Sequence, residues 1–478
     1  MADDSPFTVD PRGIAATTTA IPVQYTHGKP LRRYILWYTI VSLAITAVWG
    51  GALAILIPNQ VQGLMFGSFF TGADAGVDLT ALTNLRSDVA AGTATATADQ
   101  QRLLGLLGQF EGARASALAL VTSIGTIGTM LMQPIIGVFS DRTRSKWGRR
   151  APWILYGGLL GALLLVAVRF APTVAVLVVL WTLAQVVLNA SSTPLTATMA
   201  DRVPEDRLGT VSAMGGLGNF IGGILGGVAA GALFATIGLD VYLIIAFGVA
   251  LAVVLFVLFT RDRSSKDLEL AKFRWGAFFK GFLVPLLDRD FRWVWIARVL
   301  LLFGYGVSTA LGLYMLQSYI HPAMSQADAS ATAPLITLVG LPFTVIALLT
   351  AGRLSDRLGR RKPFVIAASI LMAVSMMIPL ISPTLPGLFI QAIVAGIAFG
   401  IFLPVDQALF VDVLPDIEAD AGRDLGIAGM ATNLGQSLSP ILAAQIVVLT
   451  GGYQLVWVAG IVLVAIAAVA ILPVKGAR

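Results

Sequence analysis

The chain has 478 residues, of which 57% are hydrophobic and only 12% charged, with a mean hydropathy of +0.84. So little charge cannot clothe a folded surface in water, which excludes an ordinary water-soluble domain and points to a bilayer as solvent. The absence of cysteine excludes disulfides, iron–sulfur ligation and thiol chemistry.

Residues 1–33 are polar, contain Pro and Thr, and lack the apolar core of a cleavable signal. They read as a cytoplasmic tail, leaving the first span as its own targeting signal. Apolar windows of about 20 residues, the length a helix needs to cross the hydrocarbon core, fall at 34–58, 114–138, 151–170, 173–199, 208–235 and 239–260. A mixed-charge linker at 261–292 separates them from a second set at 293–319, 331–351, 363–382, 385–411, 425–449 and 453–473. The expected fold is therefore an all-α membrane protein of twelve spans in two six-helix bundles, 34–260 and 293–474. Residues 60–112 form a long loop between the first two spans, with an Ala/Thr stretch at 93–98 and a short amphipathic helix expected at 100–110.

Basic residues are retained on the cytoplasmic side of short loops. Of the 32 Lys and Arg, 27 fall in the tails and in the loops after spans 2, 4, 6, 8 and 10, while the opposite face has Arg86, Arg102, Arg114 and Arg169. Both termini are expected to be cytoplasmic, and the net charge of +6 follows from topology, not from a nucleic-acid site.

Two of those loops carry the same phrase. The first is Gly137-x-x-Ser140-Asp141-Arg142 running on to Gly148-Arg149-Arg150-x-Pro152, and the second is Gly352-x-x-Ser355-Asp356-Arg357 followed by Gly359-Arg360-Arg361-x-Pro363. The offset of 211 from Gly148 to Gly359 also links Asp201-x-x-Pro204-Glu205 to Asp412-x-x-Pro415-Asp416. A second register of 217 pairs Asp206-Arg207-Leu208-Gly209 with Arg423-Asp424-Leu425-Gly426. The chain is thus a tandem repeat of two pseudo-symmetric membrane halves. An Asp beside an Arg cluster at these loops can reach a helix start in the other half, where the helix dipole favours a carboxylate. Gly137 and Gly352 would let backbones approach closely. The functional reading is a latch between the halves, formed by Asp141, Arg142, Arg149, Arg150, Asp201, Asp356, Arg357, Arg360, Arg361 and Asp412. The simpler reading is a positive loop that sets topology.

These motifs resemble the major facilitator superfamily over nearly the whole chain after residue 34. The longer first copy, Ser140 to Ile154, is similar to the loop of the glycoside/pentoside/hexuronide cation symporters and the sucrose–proton symporters. That resemblance implies a substrate site between the halves, lined by spans 1, 4, 7 and 10 and facing each side of the membrane in turn. On those spans Thr39, Ser42, Thr46 and Trp49 share one helical face, as do Thr182, Gln185, Asn189 and Thr193, and Tyr305 lies two turns after Arg298. Thr46, Trp49, Gln185, Asn189 and Tyr305 are the expected substrate-binding residues, since amides, hydroxyls and rings suit a sugar. The alternative is that they are interhelical packing. Gly218, Gly222 and Gly226, and likewise Gly223, Gly227 and Gly231, mark close helix packing. The Gly-Pro-x-x-Gly-Gly of related drug exporters is here Gly218-Asn219-x-x-Gly222-Gly223, without the proline.

Asp406 is the only acid well inside a span, and Arg298 the only matching base. Six residues from Asp412 and Arg292 respectively, each lies about 9 Å inside the cytoplasmic edge, so they are expected to pair. They serve either as the proton-coupling device or as a fixed ion pair. The cation-binding aspartates that the resembled symporters carry on spans 2 and 4 have no counterpart here. No His/Asp/Ser, metal-ligand or phosphate-loop constellation is present, so no enzyme, cofactor or metal is expected, and His27 and His321 read as solvated. The leading expectation is a monomeric sugar–proton symporter whose partners are a sugar, protons and the bilayer, and the competing one is a proton-driven exporter of broad specificity.

Overall fold

The computed structural model describes residues 28–266, 276, 285–413 and 421–474. The tail through His27, most of the linker, Pro415 and Asp416 lie outside the described residues, as do the side chains of Glu205, Arg423 and Asp424. Helix α1 (Lys29–Val48) passes through a π-helical segment (Trp49–Leu56) into α2 (Ile57–Phe69), and the three make the first span. A short helix, α3 (Leu79–Ala90), precedes α4 (Ala98–Asp141), α5 (Ala151–Arg169), α6 (Val174–Arg202), α7 (Glu205–Ile237) and α8 (Val241–Phe259), which complete the first half. The second half is built from α9 (Arg289–Thr309) with α10 (Gly312–Ser318), then α11 (Gln326–Leu358), α12 (Lys362–Ile381), α13 (Leu385–Asp412), α14 (Ala421–Thr450) and α15 (Gln454–Ala470).

The span starts follow local chemistry. Pro152 and Pro363, the last shared position of the repeated phrase, each lie in the first turn of a helix, where a missing N–H costs nothing. Gly148 and Gly359 have φ of +87° and +59°, so the glycine before each Arg pair makes the left-handed turn that ends the loop. Thr97 and Gln100 form a reciprocal capping box at the start of α4. That helix is 44 residues long, about 66 Å at 1.5 Å per residue, so the helix expected at 100–110 and the span at 114–138 are one continuous rod. It projects well beyond a hydrocarbon core of about 30 Å.

Two spans are interrupted at similar depth. In the first, Pro58 supplies no N–H to the ladder after Gly50 and Gly51, and the chain widens into the π turn. In the seventh, expected to be continuous, helix is lost at Ala310–Leu311. There Ser308 and Thr309 hydroxyls both donate to the Tyr305 carbonyl, at 2.7 and 3.1 Å, competing with the helical hydrogen bonds.

The glycines of α7 set the packing. A side chain on Gly218, Gly222 or Gly226 would overlap α1 backbone at Thr39, Leu43 and Ala47, three positions themselves four residues apart. The other row turns toward the opposite half: a Cβ on Gly231 would strike the Ser330 carbonyl, and one on Gly227 would touch Pro334. The same ruler at α4 places Gly112 against Val448 of α14, 3.4 Å from a methyl group. All these contacts between halves lie at the end of the molecule that carries α3. At the other end, where the basic loops are, a Cβ on Gly137, Gly209, Gly216 or Gly429 would meet nothing within 4 Å, and one on Gly352 would meet only Pro404 of its own half. The halves are closed on each other at the α3 end and parted at the basic end.

Candidate functional site: the cavity between the halves

A cavity of about 330 Å³ lies between the halves at the level of both helix interruptions. Gly50 and Leu53 of the π segment, Gly223 and Gly227 of α7, and the broken stretch Ser308–Leu316 form much of its wall. Thr337 of α11, Gln391 of α13 and Trp457 of α15 contribute polar groups to an otherwise apolar lining. The Trp457 indole N–H is buried without a partner among the described residues. Toward the α3 end the cavity is shut by Tyr314, whose hydroxyl donates to the Pro58 carbonyl across the interface at 2.8 Å. Beside it Asn59 donates to Ser330 (2.8 Å) and accepts from Gln326 (2.9 Å). A hollow of this size with a few convergent polar groups is how small-molecule sites are built.

None of the five expected substrate residues lines this cavity. Thr46 donates to the Ser42 carbonyl and faces Gly222, at the α1–α7 packing seam. Gln185 is buried against α4: its amide nitrogen donates to the Gly125 carbonyl (3.2 Å) and Thr129 Oγ1 (3.3 Å) while its oxygen accepts from the Trp181 indole. Asn189 donates back to the Gln185 carbonyl at 3.0 Å. Trp49 sets its ring edge-on to Trp181, with centroids 6.0 Å apart, and Tyr305 stacks on Phe399 at 5.4 Å. Trp49 and Tyr305 are half-buried and lie a turn or less from Leu53 and Thr309 of the wall, toward the basic end. Sequence reasoning missed Gln391, Thr337 and Trp457; the signal that could have found Gln391 is an amide inside the otherwise apolar tenth span, four turns from Asp406.

Arg298 and Asp406 do meet. Arg298 Nε donates to Asp406 Oδ2 at 2.6 Å, and Nη2 reaches the same oxygen. Nη1 donates to the Ala428 carbonyl of α14 at 3.1 Å, and the guanidinium lies 4.3 Å from the Phe410 ring centroid. Both side chains are at least nine-tenths buried, and all these partners belong to the second half.

The repeated phrases also form ion pairs within their own halves. Arg150 Nε bonds Asp201 at 3.0 Å, and its repeat equivalent Arg361 bonds Asp412 at 2.9 Å, so the 211-residue register holds at the level of atoms. Arg149 also pairs with Asp201, and Arg150 with Asp141 and Ser140. Asp356 lies 4.0 Å from Arg361. Arg142 is half-buried, and Arg357 and Arg360 are exposed. Each of these ion pairs joins residues of a single half. The four extra residues of the first copy have a local use: the Ser145 carbonyl accepts from the Ser265 amide, the Ser145 amide donates to Ser265 Oγ, and Gly148 lies against Asp262, which holds the buried Arg202 at 2.9 Å. The start of the linker is thereby fixed to the first loop.

A family model described as MFS/sugar transport protein matches residues 106–472. The chain belongs to this family. As an MFS/sugar transport protein it is an integral membrane transporter with multiple spans and not an enzyme. Stretches of two curated relatives are similar to it: sucrose transport protein SUT1 of Oryza sativa subsp. japonica, 49% identical over 47 residues (10% of this chain, 9% of that protein), and lactose permease of Lactobacillus delbrueckii subsp. bulgaricus, 46% identical over 48 residues (10% and 8%). The chain thus matches less than a tenth of the length of either relative. Over the whole fold it is similar to the crystal structure of nucleoside transporter NupG, with a TM-score of 0.63 at 17% identity, covering 92% of this chain and 98% of that one. At that identity the likeness shows the fold alone.

Proposed function

We propose that this transporter moves a glycoside or disaccharide together with protons, binding the sugar in the cavity between the halves. The basic end is the cytoplasmic end, so this conformation faces inward. The observation that carries the reading is the cavity itself: closed at the α3 end, mostly apolar, and furnished with an amide at Gln391, hydroxyls at Thr309 and Thr337 and the unpaired Trp457 N–H. Sugar hydroxyls need both donors and acceptors, and sugar C–H faces pack on rings and aliphatic walls. Similarity to proteins named for sucrose and lactose supports a disaccharide over a monosaccharide. Trp49 and Tyr305 border the route from this cavity to the basic end. Gln185 contributes by holding α6 against α4 and by bonding the Trp181 indole beside Trp49, while Asn189 bonds back within α6. Asp406 carries the coupling proton, with Arg298 as its partner, and the charged phrases latch the basic end when the α3 end opens.

The test is uptake of a labelled disaccharide panel into proteoliposomes with and without an imposed pH gradient. Accumulation of one or more disaccharides that depends on the gradient is expected. Gln391→Ala should weaken binding of the transported sugar by about 5- to 150-fold, the effect of about 1–3 kcal/mol from leaving a hydroxyl unpaired. Gradient-independent equilibration, or native affinity in the variant, overturns the assignment.

A further inference from the structure

The segment between the first two spans is folded, and its helix α3 touches both halves in different ways. Toward the first half it is held by apolar packing: Leu82 is buried with Phe70, Leu107 and Phe110, a small core separate from that of the bundles. Asp78 caps the helix by accepting from the Thr80 and Ala81 amides. Arg102 clasps the base of the segment through Asp74, at 2.7 and 2.8 Å, and Asp99. Its hydrogen bonds hold the Asp74 carboxyl below the usual carboxylate range, so the Arg102–Asp74 pair is complete above the ordinary carboxylate pKa and is lost only as pH falls toward the lowered one.

Toward the second half the contacts of α3 are polar. Asn84 Oδ1 accepts from the Ala323 amide at 3.0 Å, Ser87 Oγ lies 3.0 Å from His321 Nδ1, and Arg86 donates to the Ser318 carbonyl at 3.4 Å. Arg86 also forms a two-pronged pair with Glu111, at 2.7 and 3.0 Å. Glu111 lies 4.0 Å from Arg114, which is only 2% exposed. Arg114 in turn donates across the interface to Ser318 Oγ (2.7 Å) and Tyr453 (3.3 Å), with its guanidinium 4.4 Å from the Tyr314 ring centroid. A line of alternating charge, Arg86–Glu111–Arg114, therefore leads from the helix on the surface to Tyr314, the residue that shuts the cavity.

Apolar attachment to one half and hydrogen-bonded attachment to the other have different fates when the halves part. The apolar core stays dry and travels with the first half, whereas each polar contact exchanges its partner for water at little net cost. We propose that α3 is a lid over the entrance at this end, docked on residues 318–323 in the closed state and released with the first half when that end opens. This goes beyond the sugar and proton assignments, since it needs only that the halves separate here.

The chain has no cysteine, so introduced ones report cleanly. In the purified protein, Ser87→Cys with His321→Cys is joined by a cleavable bis-maleimide, and Met324→Cys in the wall beneath the lid reads access by its rate of labelling with a monofunctional maleimide in a parallel background. The lid-release variant Asn84→Ala/Ser87→Ala is expected to label at Met324→Cys several-fold faster than the unmodified lid. The joined lid is expected to lose at least tenfold in transport and to regain it on cleavage. Failure of the 87 and 321 positions to join would show that the lid is not docked there, and a joined lid that transports at the parent rate would show that it does not move. Either result overturns the proposal, as does a labelling rate unchanged by Asn84→Ala/Ser87→Ala. The labelling arm requires no sugar, so it stands or falls apart from the substrate assignment.

Discussion

Asp406→Asn separates the two roles open to the buried pair. In the native chain Arg298 is compensated by the Asp406 carboxylate, the Ala428 carbonyl and the Phe410 ring. Removing one member of a buried pair costs about 3–5 kcal/mol because the other is left charged in a dry site. The substituted amide keeps one acceptor for Arg298 Nε, and such a hydrogen bond recovers about 1 kcal/mol. The expected loss is therefore about 2–4 kcal/mol, within the roughly 5–15 kcal/mol that hold a domain together. The variant should fold, with a lowered thermal midpoint in detergent. Its transport should change in a specific way: accumulation driven by a pH gradient is abolished, while exchange of labelled for unlabelled sugar persists, because exchange needs no net proton movement. A second variant isolates the charge from the fold. Arg298→Met/Asp406→Leu replaces both members by apolar groups of similar length, a change that is commonly neutral or stabilising, so it should recover the thermal midpoint without recovering accumulation. Proton uptake on sugar binding is the deciding assay. If either variant still takes up a proton with each sugar and accumulates against the gradient, the pair is a structural clamp between α9, α13 and α14 and the proton is carried elsewhere.

The orientation can be read with single cysteines: Ala90→Cys on the exposed end of α3 should react with an impermeant maleimide in intact cells, Ser264→Cys at the start of the linker should be protected, and the reverse pattern would invert the molecule. The proposed latch can be read the same way, because Asp141→Asn and Asp356→Asn should weaken closure at the basic end and shift the population further toward the state open at that end. Accessibility should then fall at Met324→Cys and rise at the basic end, and a shift in neither variant removes these residues from the gate.

What sequence could supply was periodicity and repetition, and both translated directly. Span limits differ from the structure by a few residues in most cases because apolar runs and their capping residues are local. The shared offset of 211 showed that Arg150 and Arg361, and Asp201 and Asp412, are equivalent positions but not that they pair within each half, as they do, and the Gly218, Gly222, Gly226 row does pack against α1. Side-chain direction was less legible. A stripe at helical spacing says that Gln185 and Asn189 share a face, but not whether that face meets a cavity or a neighbouring helix. Here α4 offers Gly125 opposite Gln185, and the missing side chain makes room for the amide. The break in the seventh span was hidden for a different reason: Ser308 and Thr309 are compatible with a membrane helix, and the hydroxyl-to-carbonyl bonds they make to Tyr305 also occur in helices that continue unbroken, as at Thr122 and Thr350. Residues 60–112 looked like a loop because their polar and small residues are loop-like in composition. Their order comes from four apolar side chains, Phe70, Leu82, Leu107 and Phe110, too widely spaced to register as a pattern.

The distribution of glycine ties the two ends of the molecule together. Helices α4 and α14 form one seam between the halves, α7 and α11 the other, and each seam carries glycine toward both of its ends. At the α3 end a Cβ on Gly231 would overlap the Ser330 carbonyl of the opposite half, and one on Gly112 or Gly227 would make ordinary contact with that half. At the basic end Gly137 and Gly429 on one seam, and Gly209 and Gly216 on the other, meet nothing. Glycine in a helix interior is destabilising by roughly 0.5–1 kcal/mol relative to alanine, so four glycines without a neighbour on their side-chain side gain nothing in the conformation described here. Their natural use is in a second conformation, in which the basic end closes as the α3 end closes here. Asp141 and Asp356, with side chains 54% and 71% exposed, are charged groups at that end with surface left to bury. On the latch proposed above, the ion pairs seen now within each half would be its resting arrangement, and closure at the basic end would add partners across the seam to those the repeat already provides.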